Sequence, residues 1–217
     1  MTARTEGLRA RKKRETRLAI SHTATRLFLE RGFEAVTIAE IAEAAGVAKM
    51  TVTNYFPRKE DLALDIHEEF VAGPAATVRG RTPGESALAA LHRAYLDAVD
   101  RREAVAGFSG APFARMITES PTLAARVREL HEERENALAE ALAEATDEIA
   151  GAAPGLVARL AAAQFGGVHR ILFDEALRRT VADRSPEEIA TALSDAASEA
   201  FALLEPSLGG YAVRTDE

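Results

Sequence analysis

The chain has 217 residues, 47% of them hydrophobic, with 27 Lys and Arg against 34 Asp and Glu for a formal charge of −7, and no cysteine. That length suits one large or two small domains with a sizeable core, and the lack of cysteine excludes disulfides, thiolate metal sites and a thiol nucleophile. The basic N-terminal residues precede no short apolar stretch with a small-residue cleavage site, and no apolar run approaches the ~20 residues of a membrane span, so the expectation is a cytoplasmic protein without a membrane partner.

The charge is unevenly placed. Residues 1–66 hold 12 basic and 9 acidic side chains, residues 67–217 hold 15 and 25, and residues 1–31 alone hold 9 and 3. An acidic body with a basic end points to a polyanion that meets only that end. A solvated charged terminus has the same composition, so the motifs that follow must decide.

Apolar residues recur at helical spacing almost throughout, Gly and Pro fall between the periodic segments, and no period-2 run is present. The class is all-α, with about nine helices. The first covers about residues 10–31, with Ile20, Ala24, Leu27 and Phe28 on one stripe and Gly32 as its stop. In "TIAE", Thr37 caps the second helix and Glu40 closes a capping box. Its apolar face is Ile38, Ile41, Ala42 and Ala45, and Gly46 ends it. A short third helix spans about 48–54, and "PRKEDLALDIHEEF" opens a fourth.

The second and third helices form a helix-turn-helix. Such a crossing needs a small residue at the contact, a turn that accepts positive φ, and an apolar residue returned to the junction. Ala42, Gly46 and Val52 satisfy these in turn, and Val47 seals the corner. An ordinary corner between two helices is the competing reading. The residues left facing outward are Lys49, Met50, Thr51, Thr53 and Asn54. Lys can donate to guanine, Asn can pair with adenine, and the methyl groups of Thr and Met can touch thymine in a major groove. Thr37 at a helix N-terminus, Tyr55 and Lys59 are the expected phosphate contacts. The basic run Arg9–Arg17 is expected along the DNA backbone or in the minor groove.

The stretch "TIAEIAEAAGVAKMTVTNYFPRKEDL", residues 37–62, resembles the DNA-binding head of the TetR family of bacterial transcriptional repressors. Thr37, Ile41-Ala42, Ala45-Gly46-Val47, Tyr55-Phe56 and Lys59-Glu60-Asp61-Leu62 carry the likeness, and Gly32-Phe33 at the first turn matches as well. The specific resemblance covers about 50 residues; the rest agrees in length and helical layout. It implies an Ω-shaped all-helical homodimer whose three-helix heads (residues 1–57) bind a double-stranded DNA operator. It also implies a larger bundle (residues 58–217) that dimerises and binds a small-molecule effector which releases the operator. Met50 stands where a small residue is common and Thr53 where an aromatic is common, implying altered base preference and the loss of one backbone contact.

In the body, "TPGE" predicts a helix capped by Thr82 with Pro83 at its first position and Glu85 closing the box. "SPTL" starts another at Ser120, and "SPEE" a third at Ser185. Helices are expected near 83–101, 104–118, 121–149, 155–179 and 186–205, with a frayed tail from Ser207. The 121–149 segment has one apolar stripe (Leu123, Val127, Leu130, Ala137, Ala141, Ala145, Ile149) and a charged, wet face. "LVARLAAAQFGGVHRILF" is apolar nearly all round and needs cover on both sides. With the 186–205 helix it is expected to form a four-helix interface with a second copy, Gly166 and Gly167 allowing close approach. A central core helix of a monomer would look the same. "AVAGFSGAPFARM" should be a broken helix beside a cavity. Phe70, His92, Tyr95, Phe108, Phe113, Met116, Phe165 and His169 are the candidate pocket residues, each of which plain core packing would also explain.

Catalytic motifs are missing. The five histidines are scattered, "HEERE" puts Glu where a second zinc-binding His would stand, "GFSG" is not a nucleophile turn, and no phosphate-cradling glycine loop occurs. The expectation is a ligand-responsive DNA-binding regulator with no enzymatic role, no cofactor and no metal. The alternatives are a helical small-molecule-binding protein and a regulator answering to a protein partner.

Overall fold

The computed structural model describes residues 7–146 and 154–215. Among them are ten α-helices and one 3-10 turn, and no strand. The N-terminal elements are α1 (Leu8–Arg31), α2 (Ile38–Ala44), α3 (Lys49–Tyr55) and α4 (Lys59–Ala63). The body follows with α5 (His67–Gly80), α6 (Ala87–Asp100), a 3-10 turn (Ala104–Ala106), α7 (Ala111–Glu119), α8 (Pro121–Ala145), α9 (Leu156–Val181) and α10 (Pro186–Leu208). Within the body, α8 packs on α5 and α9, and α10 on α6 and α9.

Two apolar clusters organise the chain. One holds the inner faces of α6, α8, α9 and α10, with Leu91, Leu138, Leu142, Phe165 and Leu193 essentially sealed from solvent. The other joins Ile20, Phe28, Ile41, Val52, Phe56 and Leu62 to Leu123, Val127, Leu130 and Phe173 of the body. Head and body therefore share a core, and the division expected at 57/58 falls inside it. Polar contacts reinforce the seam. Buried Arg126 of α8 pairs with buried Asp61 of α4 at 3.1 Å, Ser120 donates to Glu34 at 2.8 Å, and Ser21 donates to Asp65.

Several local expectations need correction. The "TPGE" box closes as a turn rather than a helix start: Thr82 N–H and Glu85 Oε2 meet at 3.0 Å. Gly84 then takes φ +78° and breaks the path, and α6 begins after Ser86, whose side chain accepts from Ala89 N–H. The tail is not frayed through Arg214. Gly84 N–H donates to Arg214 O at 2.8 Å, Arg214 N–H donates to Glu85 O at 3.0 Å, and Arg81 Nε donates to Ala212 O at 3.0 Å. The fourth helix splits into α4 and α5, because Leu64 leaves helical geometry at φ −106°, ψ 52°. The expected break at "AVAGFSGAP" is present: Gly107 is left-handed at φ +94°. A Cβ there would lie 2.7 Å from the Ala176 Cβ, so glycine also permits the close approach of α9. Ile149, assigned to the apolar stripe of α8, lies outside the described residues.

Candidate nucleic-acid interface and body cavities

The corner between α2 and α3 follows from its backbone accounting. Thr37 accepts from Glu40 N–H, and Glu40 returns its carboxylate to Thr37 N–H at 2.8 Å, completing the capping box. Arg31 donates to the same carboxylate at 2.6 Å. These hydrogen bonds, Arg31's first, pull the Glu40 carboxyl down to about 2. At the far end Gly46 sits at φ +66°. Gly46 N–H donates to Glu43 O at 3.1 Å and Val47 N–H to Ala42 O at 3.0 Å, the pair of bonds that define a Schellman stop. Ile41, Ala42 and Val52 are buried beneath the corner, so the short α3 is held by one apolar face.

Its other face is open. Lys49, Met50 and Asn54 are exposed, Met50 to 69%, and Thr51 and Thr53 are half-buried. Thr53 Oγ1 donates back to Met50 O at 3.1 Å. The flanking groups are more committed than their sequence suggested. Lys59 Nζ donates to Phe33 O at 2.6 Å and lies 4.3 Å from the Phe33 ring centre, tying α4 to the first turn; burial lowers its pKa. Thr37 spends both its N–H and its hydroxyl on Glu40. Tyr55 is half-buried, and its carbonyl accepts from Arg17 at 3.1 Å. Arg17 also lies 4.5 Å from the Phe56 ring centre, so this cation is a staple between α1 and α3. From Leu8 the basic run is helical as the first turns of α1, and residues 10–15 are exposed along it.

Two neighbouring cavities of the body contain residues that the sequence pointed to. One, of about 120 Å³, opens at the α4–α5 joint and the broken segment before α7, and Phe70, Phe108 and Phe113 line it with Leu130 and Phe173. The second, of about 200 Å³, lies between α5, α6, α8 and α9, and Phe70, Tyr95, Arg134 and His169 contribute to it. Phe70 is the wall they share. The other sequence candidates lie elsewhere: His92 stacks on Phe201 with ring centres 4.5 Å apart, Phe165 is wholly within the body core, and Met116 packs against the head-side cluster.

Arg134 is the residue that the sequence reading passed over. It belongs to the charged "HEERE" run, and α8 was expected to keep that side wet. Yet the apolar stripe steps from Leu130 to Ala137, and a helix needs a member between them, at 134. Arg134 fills that place, stacked 4.6 Å from the Phe70 ring centre. Burial lowers its pKa to about 10. Beside it burial, aided by Arg134, lowers His131 to about 4 and holds His169 well below its ordinary value, and burial raises the Tyr95 phenol.

Geometry thus defines an all-helical protein with a helix-turn-helix head on a helical body. No group of three or more His, Cys, Asp and Glu among the described residues is arranged to hold a metal, and no described helix is long and apolar enough to cross a membrane. Residues 20–66 match the family described as bacterial regulatory proteins, tetR family. The HTH-type transcriptional regulator TcmR of Streptomyces glaucescens is 35% identical over 143 residues, which is 63% of each chain. Among solved structures, NalD, the secondary repressor of the MexAB-OprM multidrug efflux pump in Pseudomonas aeruginosa, is 20% identical with a TM-score of 0.51 over 88% of this chain and 97% of its own. The Bacillus subtilis transcriptional regulator FadR in complex with stearoyl-CoA is 19% identical with a TM-score of 0.50 over 85% and 97%. At that identity the structural likeness speaks to the fold alone. Residues 20–66 thus carry a head of the TetR family of bacterial regulatory proteins.

Proposed function

We propose that this chain is a DNA-binding transcriptional repressor that holds a palindromic operator as a homodimer and lets it go when a small molecule occupies the body. The observation that carries the reading is the helix-turn-helix corner: a sealed apolar face beneath α3 and an open tip of Lys49, Met50 and Asn54 above it. Thr51 and Thr53 complete the base-reading set; with Thr37 and Lys59 committed inside the head, phosphate contacts fall to Tyr55 and the exposed basic turns of α1. The division of labour is residues 1–57 for DNA and residues 58–217 for effector and partner.

Support for the dimer comes from α9. Leu156, Leu160 and Ile171 are 68%, 54% and 61% exposed in the single chain. Gly167 lies on the same row with nothing within 4 Å of an added Cβ, whereas Gly166 meets Glu135 of α8. Leu203 of α10, 80% exposed, extends the apolar surface. A second copy laid on this face would bury it and hold two heads in fixed relation, about 34 Å or a multiple apart on one side of the duplex.

Operator selection from random duplexes with the purified protein tests the reading. The expected result is an enriched palindrome whose affinity falls with salt, with a slope of roughly 0.9 per phosphate contacted. Lys49→Ala and Asn54→Ala should each relax the choice at one base position per half-site. Failure to enrich any duplex rejects the function; unchanged base preference in both variants rejects α3 as the reading helix.

A further inference from the structure

We propose that the body cavity between α5, α6, α8 and α9 takes an organic anion on an aromatic body, its carboxylate or equivalent acid group held by Arg134 and Tyr95. The ligand class rests on the effector reading above and adds the chemistry that the effector must carry.

Arg134 is the starting point. Its Nε is buried and has no hydrogen-bond partner, and the Tyr95 hydroxyl is likewise buried without one. No carboxylate among the described residues lies within ion-pair distance of the Arg134 guanidinium, while its neighbour Arg126, two turns earlier on α8, has three acidic partners, Asp61, Glu129 and Glu133. A guanidinium placed in an apolar stripe without a counter-ion is costly, and a bound anion is the missing partner. Space for it exists, since Arg134, Tyr95 and His169 all line the same cavity of about 200 Å³.

The surroundings narrow the class. Burial and the nearby Arg134 hold both His131 and His169 below the ordinary imidazole pKa, which disfavours either as a competing cation. Two acids border the cavity. Glu69 is exposed at its edge, and Glu103 pairs with Arg101 at 3.4 Å. Neither reaches the guanidinium, and both disfavour a ligand whose charge would sit at the mouth rather than at Arg134. The walls are rings: Phe70 lies under the guanidinium, and Tyr95 and His169 stand 5.7 Å apart between ring centres. A flat unsaturated body fits between such faces better than a branched aliphatic one. Beyond Phe70 lies the 120 Å³ apolar cavity at the α4–α5 joint. A ligand that turns Phe70 therefore presses on the segment whose Leu62 and Leu64 are buried in the cluster shared with the head.

Matched probes test the site. Binding of 2-naphthoate and of its neutral isostere 2-naphthamide is measured by calorimetry on the full chain without DNA, for the parent, Arg134→Met, Arg134→Lys and Tyr95→Phe. The parent should prefer the naphthoate by roughly tenfold or more, the usual strength of a charge-assisted hydrogen bond. Arg134→Met should lose the preference, Arg134→Lys should keep part of it, and Tyr95→Phe should weaken naphthoate binding more than naphthamide binding. Arg134→Met should also melt no lower than the parent, because a guanidinium with a buried, unpartnered Nε and no counter-ion has been removed. Equal affinity for the two probes, a preference that survives in Arg134→Met, no binding of naphthoate at millimolar concentration, or a melting temperature several degrees lower in Arg134→Met would each overturn the proposal. Operator release is measured separately: anion binding without any duplex binding leaves the site standing and rejects the repressor, and duplex binding without anion binding does the reverse.

Discussion

Replacing Gly46 isolates what the helix-turn-helix corner demands. Gly46 holds φ +66°, and an added Cβ would meet nothing within 4 Å. The whole penalty is therefore backbone strain, free of any steric contribution. A left-handed conformation costs an L-residue about 1–2 kcal/mol, and the stiffer unfolded chain of Ala returns about 0.4–1, so Gly46→Ala should lose about 1 kcal/mol. Asn tolerates this region and should lose less, while β-branched Val should lose roughly 2–3 kcal/mol. Gly107→Ala provides the contrast. At φ +94° its Cβ would stand 2.7 Å from the Ala176 Cβ and 3.0 Å from Phe173 O, so strain and collision add. It should cost more than Gly46→Ala although both changes add one methyl group. Urea titration followed by circular dichroism reads the series, with duplex binding of each variant measured beside it. Because head and body share a core, one transition is expected, shifted about 2–4 °C per kcal/mol in the matching thermal melts. If Val at position 46 proves no worse than Asn, or if Gly107→Ala is the milder of the two alanine variants, the reasoning from φ and clearance is wrong.

Three further outcomes follow from the same physics. Asp61→Ala leaves Arg126 buried with only Glu133 and Glu129 as partners, and should lose about 2–3 kcal/mol in chemical denaturation, much of it recovered in the double variant with Arg126→Met; a neutral Asp61→Ala would show that this ion pair does not join head to body. His131 is held neutral by burial first and then by Arg134 and Arg170, with its pKa lowered to about 4. Since the unfolded chain protonates it near 6.5, the stability it contributes is complete above pH 6.5 and is lost as pH falls toward 4, of the order of 3 kcal/mol. Melting curves of the parent should drop across that window, and His131→Phe should flatten the drop; parallel curves would refute the assignment. Ile171→Glu and Leu160→Glu should give monomers in light scattering and weaken duplex binding together, whereas dimers that survive both changes would place the partner surface elsewhere.

The head was legible because its determinants are local. A capping box is Thr37 and Glu40 three residues apart, a Schellman stop is one glycine at the end of an apolar stripe, and the corner is Ala42, Gly46 and Val52 at set intervals. Each acts within a turn or two of chain, so spacing alone determined the α2–α3 corner and the outward tip of α3. The same holds for the starts of α8 and α10, where Ser120 and Ser185 cap as their sequence indicates.

Elsewhere local rules competed with partners far along the chain, and only tertiary structure decided. Thr82 N–H finds the Glu85 carboxylate as in a capping box, yet the helix waits until Ala87, because Gly84 turns and the tail from Tyr211 to Arg214 docks across it. Lys59 reads as a free cation for phosphate, yet its ammonium finds the Phe33 carbonyl 26 residues away. Arg134 shows the limit most clearly. Its chemistry belongs to the wet side of α8, but its helical phase belongs to the stripe between Leu130 and Ala137, and packing obeyed the phase. Periodicity determines which residues face inward; whether an inward charge finds a partner depends on which helices arrive beside it, and a linear chain does not contain that distance.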